Sequence, residues 1–220
     1  MHPSPVVRCL GVLIDKEVSF RPHVIRVAAS CFGALRQIRS VRRSLPRHLI
    51  IKLVESLVIP LLDFCISLLA GIPRKLVDRI QSVLNASARL IFDLPRFSSI
   101  TPIIRELGWL PADVRPLYRL AVLTHSCLHD KAPTYLTNEL KLTSTNSRYG
   151  LRSSTTNALY GPRVKHPTIG GRSFPSTASS TWNSLPPTIR NISNTGLFKS
   201  SVKQHFLSFH FNKQLYPTVQ

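Results

Sequence analysis

Apolar residues recur at steps of three and four from Val24 to Leu128, and this rhythm restricts the fold more than any other feature of the chain. Val24, Val27, Ala28, Cys31, Leu35 and Ile38 make the first such series. At about 3.6 residues per turn these side chains gather on one face of a helix. Ser19-Phe20-Arg21-Pro22 stands before the series, with Ser19 placed to cap and Pro22 in the first turn. Leu45-Pro46 interrupts it, and a second helix is expected from about Pro46. Its stripe is wide: Leu49, Ile50, Leu53, Val54, Leu57, Val58, Leu61, Leu62, Cys65 and Leu69. A wide stripe predicts a central helix, which Pro60 should kink or split and Gly71-Ile72-Pro73 should end. A third helix is expected from about Arg74 to Phe92, with Leu76, Ile80, Val83, Leu84, Ser87 and Ile91 inward. Thr101-Pro102 starts a short helix that Gly108 terminates, and a further helix runs from Asp113 to about Leu128. Only Val6 to Ile14 departs from the rhythm; short, apolar and β-branched, it predicts a single strand. The fold expected is mainly α: a helical bundle after one orphan N-terminal strand, followed by a small α+β basic segment.

Charge supplies the second constraint. The 220 residues carry 29 Lys+Arg against 10 Asp+Glu, a formal charge of +19. No Asp or Glu follows Glu139. Ser, Thr, Asn, Pro and Gly become frequent at the same place, and a boundary is expected in 141–150. The organisation read from the sequence is thus a strand remnant over 1–18, a helical domain over 19–140 and a basic segment over 141–220. Within the last, Asn157–Tyr160 and Gly171–Phe174 suggest short strands. Thr177–Leu185 and Asn194–Phe209 suggest helices, the latter with Leu197, Phe198, Val202 and Phe206 inward.

Cys9, Cys31, Cys65 and Cys127 are widely spaced, with no CxxC pair. Cys31, Cys65 and Cys127 fall in apolar helical patterns and are expected as buried reduced thiols in a reducing compartment. The first five residues lack the charged and apolar blocks of a secretory signal, so an intracellular, nuclear or cytoplasmic protein is expected. Leu53–Ile72 is long enough to span a bilayer, but Glu55, Pro60, Asp63 and basic residues on both flanks favour a core helix.

Several kinds of chemistry are missing. Two-metal polymerases and nucleases hold Mg²⁺ with close carboxylates, and no two acids are adjacent here. Asp15 and Glu17 are the nearest pair and read as surface charges. Nothing matches a phosphate-cradling Gly loop, a metalloprotease HExxH or a nucleophile elbow. His125, Cys127 and His129 form HxCxH, but on a helix 125 and 129 share a face that 127 leaves, so no metal site is assigned. No catalytic residue, metal or cofactor is expected.

Binding chemistry is present. Arg36, Arg39, Arg42, Arg43 and Arg47 are the densest basic cluster. At about 100° per residue, Arg36, Arg39 and Arg43 fall within about 60° of one another, flanking the apolar face. Such a ridge is either a solvated helix face or a track for a phosphate backbone, which Arg grips bidentately. Further on, Arg148, Arg152, Arg163, Lys165, Arg172, Arg190, Lys199 and Lys203 alternate with Tyr149, Tyr160, Phe174 and Trp182. Cations among rings suit single-stranded or hybrid nucleic acid; alternatively, the rings are the core of the segment, the reading favoured for Trp182 and Phe174. The predicted interface comprises the five arginines of the first cluster with Arg152, Arg163, Lys165 and Arg172.

From about Leu10 to Phe209 the chain resembles a known family. The residues that carry the likeness include Leu10-Gly11-Val12 with Asp15, Ser19-Phe20 and His23, Leu35-Arg36 with Ile38 and Arg39, and Leu62-Asp63-Phe64-Cys65. Gly71-Ile72-Pro73, Ala88-Arg89-Leu90-Ile91, Trp109-Leu110-Pro111, Ala132-Pro133, Arg152-Ser153-Ser154, Pro162-Arg163, Gly171-Arg172 and Trp182-Asn183-Ser184-Leu185-Pro186 follow, then Ile189-Arg190 and Phe198-Lys199. In order and spacing they resemble the C-terminal third of the reverse transcriptase of non-LTR (LINE-type) retrotransposons, of the jockey and chicken-repeat group. The resemblance implies a helical thumb that grips template–primer duplex, then a basic segment that holds element RNA or target DNA. It implies that Val6–Ile14 is a palm strand without its sheet and that the chain is a truncated frame. The Tyr-x-Asp-Asp polymerase loop of that family has no counterpart here, so none of its catalytic residues is carried over; Arg36 and Arg39 are the foremost duplex-facing candidates.

The expected partner is therefore nucleic acid, RNA, hybrid or DNA, held with weak sequence specificity, with no membrane span and no small-molecule substrate. Two alternatives stand beside it. One is the tail of an active RNA-directed DNA polymerase encoded by a longer frame. The other is a helical module that engages a protein or a membrane surface through Leu53–Ile72.

Overall fold

The computed structural model describes residues 5–143, 157–166 and 168–215. They are mainly helical, with one small antiparallel sheet. Two compact units divide between Asp113 and Val114. The division lies well before the change of composition at 141–150, because the helix after Asp113 packs with the segment that follows it.

In the first unit, the run expected as one strand folds back on itself. Strand β1 (Val6–Cys9) pairs antiparallel with β2 (Val12–Asp15), from Val6 opposite Asp15 to Cys9 opposite Val12. Leu10 (φ 46°) and Gly11 (φ 88°) make the two-residue turn. A pair of positive φ values matches the twist of a hairpin. The turn escapes sequence reading because Leu precedes the glycine in place of the usual Asn or Asp. A methyl group at Gly11 would stand 3.2 Å from the Phe64 ring. Gly11→Ala is therefore expected to cost about 1–2 kcal/mol, from the left-handed backbone and the contact together. Urea denaturation checks this, and a cost near zero would mean that the turn rearranges freely.

Asp15 is not an idle surface charge. Its carboxylate accepts from the Ser19 hydroxyl (2.7 Å), the Ser19 N–H (3.2 Å) and the Phe20 N–H (2.9 Å). These bonds hold a bend in which Val18 and Phe20 adopt left-handed backbone. Partial burial raises the Asp15 pKa, but the bonds outweigh it and the net shift is downward. Helix α1 (Arg21–Val41) then starts, with the Ser19 hydroxyl accepting from the Arg21 N–H at 3.3 Å.

Helix α1 buries Val24, Ala28, Cys31, Leu35 and Ile38, as its periodicity requires, and adds His23; Val27 is half-buried. It packs on α4 (Arg74–Phe92) and touches α2 (Arg47–Leu57) and α3 (Ile59–Asp63). The central stripe is split where Pro60 predicts. Proline has no N–H to return to the preceding turn. The backbone breaks at Val58, continues as α3 and ends in a 3₁₀ turn, Ile66–Leu69, after Cys65 in left-handed conformation. The break rotates the stripe, so only part of it is covered. Ile50, Val54, Val58, Leu62 and Leu69 of the stripe are buried, whereas its Leu49, Leu57 and Leu61 stay 37–48% exposed, as do Phe64 and Leu68 between its positions. The expectation of a fully buried core helix is thus corrected. Among the described residues, no helix is long and apolar enough to cross a membrane.

Helix α4 buries Ile80, Val83, Leu84, Ser87 and Ile91 as expected, while Leu76 is half-buried. Helix α5 (Thr101–Glu106) stops at Gly108 (φ 61°). The Gly108 N–H donates to Arg105 and the Trp109 N–H to Ile104, the paired bonds of a glycine-terminated helix.

The second unit is built on α6 (Arg115–Leu128), followed by the single turn α7 (Thr134–Thr137). Helices α8 (Phe174–Asn183) and α10 (Thr195–Leu215) pack against α6, and the short α9 (Pro187–Arg190) lies before α10. The strand expected at Gly171–Phe174 is a 3₁₀ turn, Gly170–Arg172, that leads into α8; two adjacent glycines and Pro175 favour a turn over a ladder. At Asn157–Tyr160 there is one bridge, Leu142 opposite Leu159. Asn194 caps α10 by accepting from the Gly196 and Leu197 N–H groups. Phe198, Val202 and Phe206 are buried, but Leu197 is 62% exposed, since it precedes Phe198 around the helix.

The core of this unit explains the Trp182-Asn183-Ser184-Leu185 run. Trp182 is buried and its indole N–H donates to the Asn157 carbonyl at 2.8 Å. The Asn183 side chain accepts from the Leu159 N–H (2.9 Å) and donates to the Leu159 carbonyl (2.8 Å), completing that segment's backbone bonding as a strand would. Leu185 is buried beside them in sequence. Phe174, expected in the core, is half-buried.

Candidate nucleic-acid interface

The arginine ridge is built by α1 and the chain that follows it. Arg36 and Arg39 lie on the last turns of α1, exposed and without an ion pair among the described residues. They stand about 4.5 Å apart along the helix axis. Arg43 is also exposed but lies beyond α1, in a 3₁₀ turn over Arg42–Ser44. Arg47 opens α2, exposed, with its guanidinium carbon 4.8 Å from the centre of the Phe92 ring. The stacked ring limits the directions in which Arg47 can reach while leaving its charge in solvent.

Arg42 differs from its neighbours. Its Nε donates to the Leu90 carbonyl at 2.8 Å and its guanidinium meets the Asp93 carboxylate at 2.7 Å. Leu90 is in the last turn of α4, where carbonyls lack partners within the helix, and Asp93 holds the left-handed position after it. Arg42 thus closes the end of α4 and ties it to α1, so its donors are engaged inside the unit. Sequence periodicity cannot separate this arginine from the exposed ones, because its partners are 48 residues or more away.

In the second unit, Arg163 and Lys165 are exposed on a loop. Arg172 is half-buried and its Nε donates to the Thr168 carbonyl at 2.9 Å, bracing the turn before α8. Arg152, with Arg148 and Tyr149, lies outside the described residues. Tyr160 is 45% exposed and lies near Arg163 and Lys165 in sequence.

His125 and His129 share a face of α6, as helical spacing dictates, and stack at 4.0 Å; His125 also stacks on Phe198 at 4.1 Å. His125 Nε2 donates to the Ile192 carbonyl at 2.8 Å, and His129 Nδ1 donates to the His125 carbonyl at 2.9 Å. Cys127 is buried apart from them, and no metal-holding cluster of His, Cys, Asp and Glu occurs among the described residues. All four cysteines are free thiols; Cys31 and Cys127 are buried, Cys65 is half-buried and Cys9 is exposed. Burial pushes the Cys31 thiol up to about 11, which keeps it protonated and unreactive.

Buried histidines also set an acid limit. His23 in the first unit is 2% exposed, and neither ring nitrogen has a partner among the described residues. Burial and then the charge of Arg26 lower its pKa. Burial likewise lowers that of His125, with the Ile192 bond opposing and the charges of His129 and Lys131 adding to the shift. Both rings therefore take up a proton less readily when folded than when unfolded. Their share of stability is complete above the unfolded value of about 6.5 and is lost as pH falls from there through the folded values. Urea midpoints are expected to fall between pH 7.5 and 5. His23→Leu should flatten the share of the first unit, and an unchanged slope in that variant would assign the acid sensitivity elsewhere.

No protein-family model, curated protein or solved structure matches the chain.

Proposed function

We infer that the chain binds nucleic acid without catalysis, as the thumb-like and basic C-terminal part of a LINE-type reverse transcriptase. The observation that carries this reading is the row of exposed arginines, Arg36, Arg39 and Arg43, free of carboxylate partners among the described residues in a chain of charge +19. A folded unit that leaves such a row unneutralised presents a surface to polyanions, and guanidinium groups pair with phosphate whatever the base. The helical architecture is compatible with a thumb, and the motif order given above is what supports this choice of family.

The reading is tested by titrating the purified chain against an RNA–DNA hybrid at several salt concentrations. Binding that weakens linearly in log–log salt supports it, and salt-insensitive or absent binding overturns it. Primer extension with Mg²⁺ on the same chain should yield no product; extension would favour the polymerase alternative.

A second reading rests on Leu57, Leu61, Phe64 and Leu68, four exposed apolar side chains close in sequence in the first unit. Exposed apolar side chains that gather into a patch mark contact with a protein or a lipid surface. Flotation of the chain with neutral liposomes in the absence of nucleic acid would favour it.

A further inference from the structure

The second unit contains a small cleft of about 140 Å³, lined by His129, Asn157, Trp182, Arg190, Asn191 and Ser193 among others. Arg190 decides its chemistry. Its residue is only 8% exposed, its Nε is buried with no hydrogen-bond partner, and it forms no ion pair among the described residues. A guanidinium cannot shed its charge at any ordinary pH, so burial without a counter-ion is costly. No side-chain carboxylate of its own segment can supply one, because no Asp or Glu follows Glu139, and no acid lines the cleft.

The rest of the wall offers donors. Asn157 donates from Nδ2 to Asn191 Oδ1 at 3.1 Å, and the Asn191 amide N–H groups have no partner among the described residues. The Ser193 hydroxyl has no partner among the described residues either. A buried cation with an amide and a hydroxyl, and no acid, is the complement of an oxyanion. Size narrows the class. Sites for whole organic ligands run to about 300–1,000 Å³, so this cleft is too small for a nucleotide and large enough for one tetrahedral anion with water.

We propose that the Arg190 cleft is a phosphate-binding site, which receives a single phosphate group on the Arg190 guanidinium with donors from Asn191 and Ser193. The phosphate comes either from a nucleic-acid strand or from free solution; the chemistry is shared. The site is distinct from the arginine ridge and stands whether or not the ridge binds duplex.

The test uses the whole chain. Trp182 forms part of the wall, so its fluorescence reports occupancy, with Trp109 replaced by Phe to leave one indole. Inorganic phosphate is titrated against chloride at equal ionic strength. A saturable change specific to phosphate, with a rise in melting temperature, is expected. Arg190→Met should weaken phosphate binding on the order of tenfold or more, as loss of a charge-assisted contact does. An unchanged response in that variant overturns the site, as does the lack of any phosphate-specific effect in the parent chain. Should Arg190→Met fail to fold, Asn191→Asp decides. It places a carboxylate in the cleft, so the variant should melt higher than the parent in phosphate-free buffer and no longer respond to phosphate; a retained response overturns the site. A short oligoribonucleotide added to the phosphate-loaded chain then separates the sources: displacement of phosphate assigns a strand, and no displacement assigns the free ion.

Discussion

Trp182→Ala is expected to cost the second unit about 3–5 kcal/mol, the usual range for removing a buried indole. The ring is 1% exposed, stacks near Phe198 with centres 5.7 Å apart, and stands 6.5 Å from His125. Its removal opens a cavity in the core where α8 and α10 pack on α6. It also frees the Asn157 carbonyl, whose bond to the indole is 2.8 Å. Total stabilities of about 5–15 kcal/mol make a loss of this size a large fraction of what holds a domain together. Urea denaturation followed by near-ultraviolet circular dichroism measures it. A loss under about 1 kcal/mol would mean that the neighbouring side chains close over the gap, against the close packing usual in protein interiors. Trp182→Phe, which keeps a ring and loses the bond, should fall between the parent and the alanine variant.

Charge reversal of Arg36, Arg39 and Arg43 to Glu is expected to give the largest change in binding. Each phosphate contact contributes about 0.9 to the salt slope on duplex, so loss of three lowers it by about 2.7. Affinity at low salt should drop by at least two orders of magnitude, since three attractions become repulsions. The three side chains are exposed and make no ion pair among the described residues that an exchange would break. Stability should therefore change little, and a melting curve beside the titration verifies it. Arg42 is left out because its substitution would loosen the end of α4 through Leu90 and Asp93. Arg172 is left out for its bond to Thr168. A slope unchanged by the triple exchange would move the binding surface to the second unit, where Arg163 and Lys165 are the exposed cations to exchange next.

The two experiments address different levels of the molecule, and the levels differ in how far the sequence reveals them. Helices α1, α4 and α5 were legible nearly to the residue because their apolar faces repeat and their ends carry Pro or Gly. The split at Pro60 was legible for the same reason, as a local consequence of a missing N–H. Exposure of Arg36 and Arg39 also followed from helical spacing, since they lie off the apolar arc, whereas Arg43 is exposed in a 3₁₀ turn that the spacing did not foresee. The hairpin was not legible, because its turn uses Leu-Gly where a stronger signal would be Asn-Gly. Asp15 gave no sign of its three bonds, for they depend on left-handed backbone at Val18 and Phe20 that neither residue favours by itself.

By itself the sequence determined the helical class, the order of the main helices, the excess of cations and the absence of acid beyond Glu139. These are matters of period and composition, which act within a turn or two of chain. Tertiary structure alone decided which arginines are engaged and which are free. Arg42, in the turn after α1, reaches the end of α4, Arg47 stacks on Phe92, and Arg190 is enclosed with no carboxylate beside it among the described residues. It also decided that part of the central apolar stripe, Leu49, Leu57 and Leu61, faces solvent, because a face is buried only when another element arrives to cover it. Charge and hydropathy belong to a residue, but pairing and burial belong to what distant chain brings against it.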